Sequence, residues 1–260
     1  MISRILAAYS VNFLMSMEKP NVGVVIPAYN ESENIGALLS AIVSELPDAS
    51  VIVVDDSPDD KTIQAVSASG FSQVSVTHRE KKDGRGSAVI EGIRQCLAKG
   101  CDLIIEMDAD FSHPPKQLPE LVRVLQDRGL GMLVASRYVS GSRIDHWPLS
   151  RRIFSRVANI VAKTLLRVPV ADYTNGYRAY SRRAAEIIVA HCGKLGKGFI
   201  PLSEILTNVY YRGLTVGEMP THFVNRIRGE SSLNTTEIKN AFVGVLKIYG
   251  LKRRLLKERS

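Results

Sequence analysis

No stretch of the 260-residue sequence is apolar over the roughly 20 residues that a membrane-spanning helix needs. Cysteine is scarce too. Cys96, Cys101 and Cys192 have no metal-ligand spacing, and their small, odd number argues against a disulfide framework and suits a reducing compartment. The 26 acidic residues are outnumbered by 34 Lys and Arg, and the net charge of +8 indicates an anionic partner. The basic residues form no clustered aromatic–basic face, which argues against nucleic-acid binding.

The chain is long enough to bury a full core, and 45% of its residues are hydrophobic. Apolar strand-like runs alternate with segments of helical periodicity in its first half. The predicted strands are 21–30, 50–56, 73–78, 101–108 and 131–136. Because such strands are apolar along their whole length, they predict an α/β fold with a mostly parallel central sheet and helices on both faces.

The pattern changes after residue 140. A basic amphipathic helix is predicted in "LSRRIFSRVANIVAKTLLRV", then a polar turn and strand, a helix over "PLSEILTNVYYRG" and a strand over "LTVGEMPTHFVNR". We expect one domain over residues 21–235. We expect residues 1–20 to be an N-terminal extension lying on a membrane surface, and 236–260 to be a basic amphipathic helix.

Carboxylates follow two of the predicted strands: Asp55 and Asp56 end one, and Asp108 and Asp110 end another. The carboxyl ends of parallel strands border the ligand crevice of such sheets. A D-x-D pair there is typical of a Mg²⁺ or Mn²⁺ site that bridges to substrate phosphates. Taken alone, the pair fits a solvated turn equally well.

Five segments in this order carry a more specific signal: "VVIPAYNE", "VIVVDD", "MDADFSHPP", "ASRY" and "RGES". Together they resemble the family-2 glycosyltransferases of GT-A fold, which have a Rossmann-like nucleotide-binding half. Within that family, "ADYTNGYRAYSR" and "FVNRIRGESSL" look like segments of the dolichyl-phosphate mannosyltransferase group. The resemblance covers residues 21 to 250.

The resemblance implies roles for individual residues. The donor sugar nucleotide would be bound by Pro27, Tyr29, Glu31, Val54, Asp56, Asp108, Ala109, Asp110, Arg137 and Arg226. A Mg²⁺ or Mn²⁺ ion would be held by Asp108, Asp110 and Ser112. Arg137, Arg151 and Ser155 would grip the acceptor phosphate, and with Asp110 they would form the catalytic set.

The implied reaction is transfer of a sugar, mannose from GDP-mannose, to a polyprenyl (dolichyl) phosphate. The acceptor is already anionic and needs no strong general base, so arginines and a divalent ion suffice to position it and stabilise the leaving diphosphate. One direct displacement predicts inversion. A UDP-sugar donor, or a catalytically silent nucleotide-binding subunit, remains an alternative.

Three features depart from the family pattern. The turn "DDSPDDKT" is one residue shorter than its family counterpart and lacks a Gly. Leu202 stands where relatives carry Gln or Lys, and Ser232 replaces a Lys. The last two remove groups expected near the donor, so they affect sugar and nucleotide identity more than reaction class. Arg228 or Lys197 are candidates to compensate.

Other segments allow structural interpretations as well. Glu31 would also suit a helix start. "KKDGRGSA" fits a phosphate-cradling loop or a turn capping the next helix, and His113 is expected to pack in its loop. Arg151, Arg152 and Arg156 fit an acceptor-phosphate or lipid-headgroup site, or a solvated face.

Membrane contact is expected at the C-terminus. Six basic residues between 247 and 259 are interleaved with Ile248, Leu251, Leu255 and Leu256. A basic helix with an apolar stripe suits an anionic membrane surface. A helix docked on the domain, or a small membrane-anchoring partner subunit, are the alternatives. We therefore expect a cytoplasmic protein, peripheral on the cytosolic face of a membrane.

Overall fold

The computed structural model of the chain describes residues 19–80, 83–195, 200–225 and 235–259, with side chains left out over 235–243 and at 259. Nine strands and eight α-helices lie in these ranges. The strands are β1 (Val22–Ala28), β2 (Ser50–Asp55), β3 (Val74–His78), β4 (Leu103–Glu106), β5 (Met132–Ser136), β6 (Arg143–Asp145), β7 (Arg178–Ser181), β8 (Val216–Pro220) and β9 (His222–Val224). The helices are α1 (Ile35–Glu45), α2 (Lys61–Ala68), α3 (Arg85–Ala98), α4 (Leu118–Asp127), α5 (Leu149–Leu166), α6 (Arg182–His191), α7 (Ile200–Tyr211) and α8 (Thr235–Arg259).

Seven strands form one sheet in the order β3-β2-β1-β4-β7-β5-β8. All neighbours pair in parallel except β7, which is antiparallel to both β4 and β5. The expected mostly parallel sheet is therefore confirmed. The strand order reverses between β1 and β4, which makes their carboxyl ends the place where a ligand crevice opens.

Alternate residues along each buried strand point to opposite faces of the sheet, and each face carries its own apolar cluster. Val24 and Ile26 of β1 pack with α1, α2 and α4 on one side. Val25 packs on the other side with α3 and with the helices of the second half, α5 to α8. The structure is thus a three-layer sandwich, as the strand composition predicted.

Three local features were not predicted. The segment expected as one strand over "LTVGEMPTHFVNR" is divided: β8 pairs with β5, whereas β9 pairs with β6 in a separate two-stranded sheet. The break follows Pro220, which has no N–H with which to continue the ladder. Helix α6 and strand β6 lie where no element was expected.

The structure supports the alternative in which the C-terminal helix docks on the domain. Ile248 and Leu255 of α8 are fully buried in the apolar cluster, with Leu251 packed beside them. Lys252 also faces inward, and its Nζ donates to the Leu165 carbonyl at the end of α5. Of the four apolar residues of the predicted stripe, only Leu256 is exposed. The domain covers most of this stripe because burying it against α5 and α7 removes apolar surface from water.

None of the helices in the described part of the chain is long and apolar enough to cross a membrane.

Candidate active site

A cavity of about 470 Å³ opens at the carboxyl ends of the central strands. Its floor is the turn after β4, and its walls come from the turns after β1 and β2, from the start of α3, and from α5, α7 and α8. Most of the residues predicted to bind substrate line it: Pro27, Tyr29, Glu31, Asp56, Asp108, Ala109, Asp110, Ser112, Arg137, Arg151 and Ser155. The fold thus gathers into one space residues that are up to 128 positions apart in sequence, from Pro27 to Ser155.

Two predicted donor residues are not placed in this wall. The Val54 side chain is fully buried under α3 in the core cluster, so it can contact a nucleotide only through its backbone. Arg226 lies outside the described residues, as do Lys197, Arg228 and Ser232. Leu202, the apolar departure on α7, does line the cavity.

The acidic turn holds its two carboxylates in different surroundings. Asp108 Oδ1 accepts a hydrogen bond of 2.7 Å from Arg85 Nε, and Asp108 Oδ2 lies 3.2 Å from His113 Nε2. Asp110 Oδ1 accepts the backbone N–H of Ser112 at 3.1 Å, while Phe111 between them adopts a left-handed φ of 57°. This tight turn brings Asp108, Asp110 and Ser112 to the same rim of the cavity.

The charge of Asp108 is secured by these neighbours. Burial alone would raise its pKa, but the Arg85 guanidinium, with His113 as a second contribution, holds the pKa well below its usual range. Arg85 is affected in the opposite sense: burial disfavours its charge, whereas Asp108 and Glu106 raise its pKa above the usual value. The two groups therefore remain an ion pair at every physiological pH.

The donor set of this turn suits a hard divalent cation. No group of three or more His, Cys, Asp or Glu side chains arranged to hold a metal exists among the described residues. Two carboxylates and a hydroxyl nevertheless match Mg²⁺ or Mn²⁺, which commonly take one or two protein carboxylates and complete their shell with water and substrate phosphates. The residues present therefore fit such an ion bound together with a diphosphate.

Asp56, at the turn after β2, lines the cavity and is held by an arginine. Arg79 donates to both of its carboxylate oxygens, at 2.6 and 2.7 Å, and also to the Ser87 hydroxyl at the start of α3. Glu31 lies in the turn between β1 and α1. Its side chain accepts a hydrogen bond from Asn34, and its backbone N–H donates to the Thr62 hydroxyl. These bonds order the turns after β1 and β2 into one wall.

On the opposite side, Arg137 is held by Asp172 through two bonds of 2.8 Å and by the Thr174 hydroxyl. Its guanidinium carbon lies 5.1 Å from the centre of the Trp147 ring. Burial opposes both charges, but Asp172 raises the pKa of Arg137, and Arg137 in turn lowers the pKa of Asp172. The cavity therefore has a permanent cation fixed in orientation beside an aromatic surface.

Arg151 and Ser155 project from the first two turns of α5 toward the same place. The Arg151 guanidinium carbon lies 4.7 Å from the Trp147 ring centre, and its Nη1 donates to Asn225. The Ser155 hydroxyl accepts a 2.7 Å bond from Tyr138. Trp147 thus lies against both Arg137 and Arg151 and brings the predicted acceptor residues together.

His113 packs in its loop, as expected from the sequence. It is fully buried, stacks on Tyr177 at a centroid distance of 4.9 Å and meets Phe223 edge to face. Its Nε2 is directed at Asp108, whereas its Nδ1 has no hydrogen-bond partner among the described residues. His113 therefore orients Asp108 from behind and does not line the cavity.

Part of the cavity lining is apolar. It is made by Phe154, Ala158 and Ala162 of α5, Ile200 of α7, and Val245 and Ile248 of α8. The cavity therefore combines a carboxylate turn, guanidinium groups and an apolar surface between helices.

Sequence reasoning missed Arg85 and Trp147. Trp147 is the only tryptophan in the chain, yet nothing in its local sequence indicated that two arginines would pack on it. Arg85 lay within the segment "KKDGRGSA", which was considered as a loop or a helix start. The structure shows the helix start: α3 begins at Arg85, after Gly84 with a φ of 92°.

Comparison with known proteins identifies the family. The sequence profile of Glycosyl transferase family 2 matches residues 23–188, and the chain belongs to this family. It is 33% identical over 240 residues to the polyprenol monophosphomannose synthase of Mycolicibacterium smegmatis, covering 91% of this chain and 89% of that protein. It is 34% identical over 232 residues to the undecaprenyl-phosphate mannosyltransferase of Micrococcus luteus, covering 88% of this chain and 94% of that protein.

Solved structures show the same fold at lower identity. Glucosyl-3-phosphoglycerate synthase from Mycobacterium tuberculosis, in complex with Mn²⁺, UDP-glucose and phosphoglyceric acid, aligns with a TM-score of 0.63 and 21% identity, over 89% of this chain and 80% of that one. Another crystal structure of that enzyme aligns over 96% of this chain and 85% of that one, at 22% identity and the same TM-score. The GT-A fold expected from the sequence is confirmed, and the chain is a glycosyltransferase.

Proposed function

We propose that this chain transfers mannose from GDP-mannose to a polyprenyl phosphate, with inversion at the sugar carbon. The observation that carries the proposal is that carboxylates, arginines and a set of apolar side chains line one cavity. A sugar nucleotide with its metal ion, an acceptor phosphate and a lipid chain need these three kinds of surroundings. The names of the two curated relatives support the same acceptor class and the same sugar.

The acceptor side follows from Arg137 and Arg151. Both are oriented by other side chains, so a phosphate that enters between them meets donors already in place. Each charge-assisted hydrogen bond of this kind contributes about 1.5–3 kcal/mol. The arginines offset the repulsion between acceptor phosphate and donor diphosphate, which allows a phosphate oxygen to approach the anomeric carbon. Ser155 adds a hydroxyl beside them.

On the donor side, Asp108, Asp110 and Ser112 would hold Mg²⁺ or Mn²⁺ against the diphosphate. The ion, when bound, supplies positive charge that stabilises the leaving nucleoside diphosphate. Pro27, Tyr29, Glu31 and Asp56 would bind the nucleoside on the wall formed by the turns after β1 and β2. Arg226 is proposed for the diphosphate from its sequence motif alone.

Membrane attachment belongs to the proposal because the acceptor is a lipid. Helix α5 exposes Leu149, Ile153, Val157 and Ile160 on one face, each more than half exposed. Arg156 and Lys163 are exposed on the same helix. An exposed apolar stripe flanked by basic residues suits the headgroup region of an anionic membrane. We propose that the protein binds peripherally to the cytosolic face of a membrane through α5. A membrane-anchoring partner subunit would strengthen this contact and would not replace it.

The experiment is direct assay of the reaction. Purified protein with Mn²⁺ is given GDP-mannose or a UDP-hexose, together with a polyprenyl phosphate or the corresponding polyprenol, and lipid products are identified by mass spectrometry. We expect a mannosylated polyprenyl phosphate of inverted configuration from GDP-mannose and no product from the alcohol.

The alternatives give different results in the same experiment. Product formed from a UDP-sugar and not from GDP-mannose would show that the donor is a UDP-sugar. This outcome is worth testing because Leu202, which departs from the family pattern, lines the cavity. Thermal stabilisation by GDP or UDP without any product would contradict the transferase and indicate a nucleotide-binding subunit.

A further inference from the structure

Arg85 occupies a position that the proposed chemistry does not account for. Its guanidinium lies 2.6 Å from Asp108 at Nη2, and its Nη1 donates to Glu106 at 2.5 Å. It lines the cavity beside the carboxylate turn, with a side chain about one quarter exposed. A cation therefore already rests against one of the two carboxylates proposed to hold a divalent ion.

The surroundings of Arg85 show that this position is built into the fold. Glu106 is fully buried, and its other oxygen accepts a 2.5 Å bond from Tyr180 on the neighbouring strand β7. The carbonyl of Gly176 accepts from Arg85 Nη2, and a Cβ at Gly176 would lie only 2.0 Å from that nitrogen. The guanidinium thus fits a space that only glycine leaves open, and a buried carboxylate anchors it from below.

Both oxygens of Asp108 already have a partner. Arg85 is bonded to Oδ1 and His113 faces Oδ2, so a divalent ion that binds this carboxylate lies close to the guanidinium. Repulsion between a dication and a fixed monocation at such separations is large, even with the screening found near protein surfaces. A diphosphate brings negative charge to the same place and offsets that repulsion.

We propose that Arg85 is a positioning residue that makes metal binding conditional on the donor diphosphate. It competes with a free divalent ion for Asp108, so the ion enters as part of the nucleotide complex and not before it. This inference rests on the proposed function, whose metal site it deepens. Leu202 replaces a polar residue that was expected near the donor. Arg85 supplies a cation in the same cavity.

The test measures Mn²⁺ binding without any turnover, by electron paramagnetic resonance of the free ion, in the absence and presence of GDP or UDP. For the unaltered protein we expect weak Mn²⁺ binding alone and binding at least tenfold tighter with the nucleotide. Arg85→Gln should bind Mn²⁺ alone at least tenfold more tightly than the unaltered protein, and the nucleotide should add correspondingly less. Arg85→Lys keeps the charge and should restore most of the coupling.

Two further variants separate competition from structural damage. Arg85→Gln leaves the buried Glu106 carboxylate without its cation, which destabilises the fold. The double variant Arg85→Gln/Glu106→Gln removes that unpaired charge and should show the same gain in Mn²⁺ affinity. Arg79→Gln removes the matched arginine that pairs with Asp56, and it should leave the affinity for Mn²⁺ alone unchanged.

The outcomes are distinct from those of the transfer assay. Unchanged or weaker Mn²⁺ binding in both Arg85→Gln variants overturns the proposal, as does a protein that binds no Mn²⁺ even with nucleotide. Coupling seen with UDP and absent with GDP would overturn the donor assigned under the proposed function while supporting the role of Arg85.

Discussion

Asp108 and Asp110 are two residues apart, and Arg85 donates a hydrogen bond to Asp108. Asp110 lines the cavity rim and accepts the Ser112 N–H within its own turn. If the divalent ion binds where the motif indicates, Asp110 supplies a carboxylate ligand on the same rim as Asp108 and Ser112.

We therefore expect Asp110→Asn to lower the transfer rate at least a hundredfold in saturating Mn²⁺, because a neutral amide is a poor ligand for a hard cation. The substitution lies in a surface turn and should change the free energy of unfolding by no more than about 0.5 kcal/mol. Initial rates and urea denaturation check the two parts. An active Asp110→Asn enzyme would remove this residue from the metal site.

Individual site residues differed in how far the sequence could indicate them. The family motifs indicated five residues that line one cavity: Asp108, Asp110, Arg137, Arg151 and Ser155. Each of these residues lies near the end of a strand or the start of a helix, and the fold determines where those elements lie. Arg85 has partners 21, 23 and 91 positions away, in segments with no motif in common with its own. The glycines on both sides of it are the available signal, and they fit a phosphate-cradling loop or a helix-capping turn without indicating an ion pair with Asp108.

At the scale of elements, α5 and α8 look alike in sequence and differ in the structure. Both have an apolar stripe interrupted by basic residues, and periodicity does not tell which stripe the domain covers. Packing decides it. Helix α8 buries its Ile248 and Leu255 side and exposes Leu246, Tyr249 and Leu256 by less than half. Helix α5 uses Ser155, Asn159, Ala162 and Leu166 for its inner face and leaves outside an apolar row whose members are each more than half exposed. The membrane contact expected of α8 is therefore better placed on α5.

We expect Ile153→Gln/Ile160→Gln to weaken binding to liposomes containing anionic lipid at least tenfold in a sedimentation assay. Each large apolar side chain that enters the interface contributes about 1.5–3 kcal/mol when fully buried. High salt should weaken the unaltered protein as well.

The matched control is Leu256→Gln, an exposed residue on the outer side of α8. It should have a smaller effect. Equal losses in the two variants would mean that α8 shares the contact, and no loss in either would favour attachment through a partner subunit. Deletion of residues 250–260 is a poor test, because it would uncover the core around Leu255.

For the whole molecule, the pair between Arg137 and Asp172 connects the end of β5 to the loop that leads into β7. Asp172 is fully buried and also accepts backbone N–H groups of Arg137, Thr174 and Asn175. Burial would raise its pKa, yet Arg137 keeps it below the usual value. A lowered folded-state pKa stabilises the fold above the unfolded pKa of about 3.9, and this contribution is lost as the pH falls below it.

Asp172→Ala should therefore reduce the free energy of unfolding by about 3–5 kcal/mol at pH 7, since it leaves a buried guanidinium unpaired. The difference from the unaltered protein should shrink as the pH is lowered from 5 toward 3. Urea unfolding at several pH values measures both quantities. Asp127→Ala, which breaks an exposed pair with Arg123, should cost less than about 1 kcal/mol and vary little with pH. A pH-independent loss for Asp172→Ala would refute the electrostatic explanation.

The overall architecture was predictable to the level of layers. Continuous apolar strands alternating with amphipathic helices are sufficient to indicate a three-layer parallel sheet. The position of β7 was not, because strand neighbours that are far apart in sequence are chosen by long-range packing, and nothing local in "YRAYS" specifies an antiparallel strand.

The insertion of β7 between β4 and β5 has a consequence for the order in which the chain can be assembled. Strands β1 to β3 find all their neighbours within residues 22–106, and β4 finds one of its two, so this part of the sheet can pair as soon as it has been synthesised. Strand β5 has two neighbours in the sheet, and both come later in the chain. The first to be synthesised is β7, at residues 178–181, and β8 follows it. The wall proposed to bind the nucleotide can therefore form on the emerging chain while the wall proposed to bind the lipid phosphate is still incomplete.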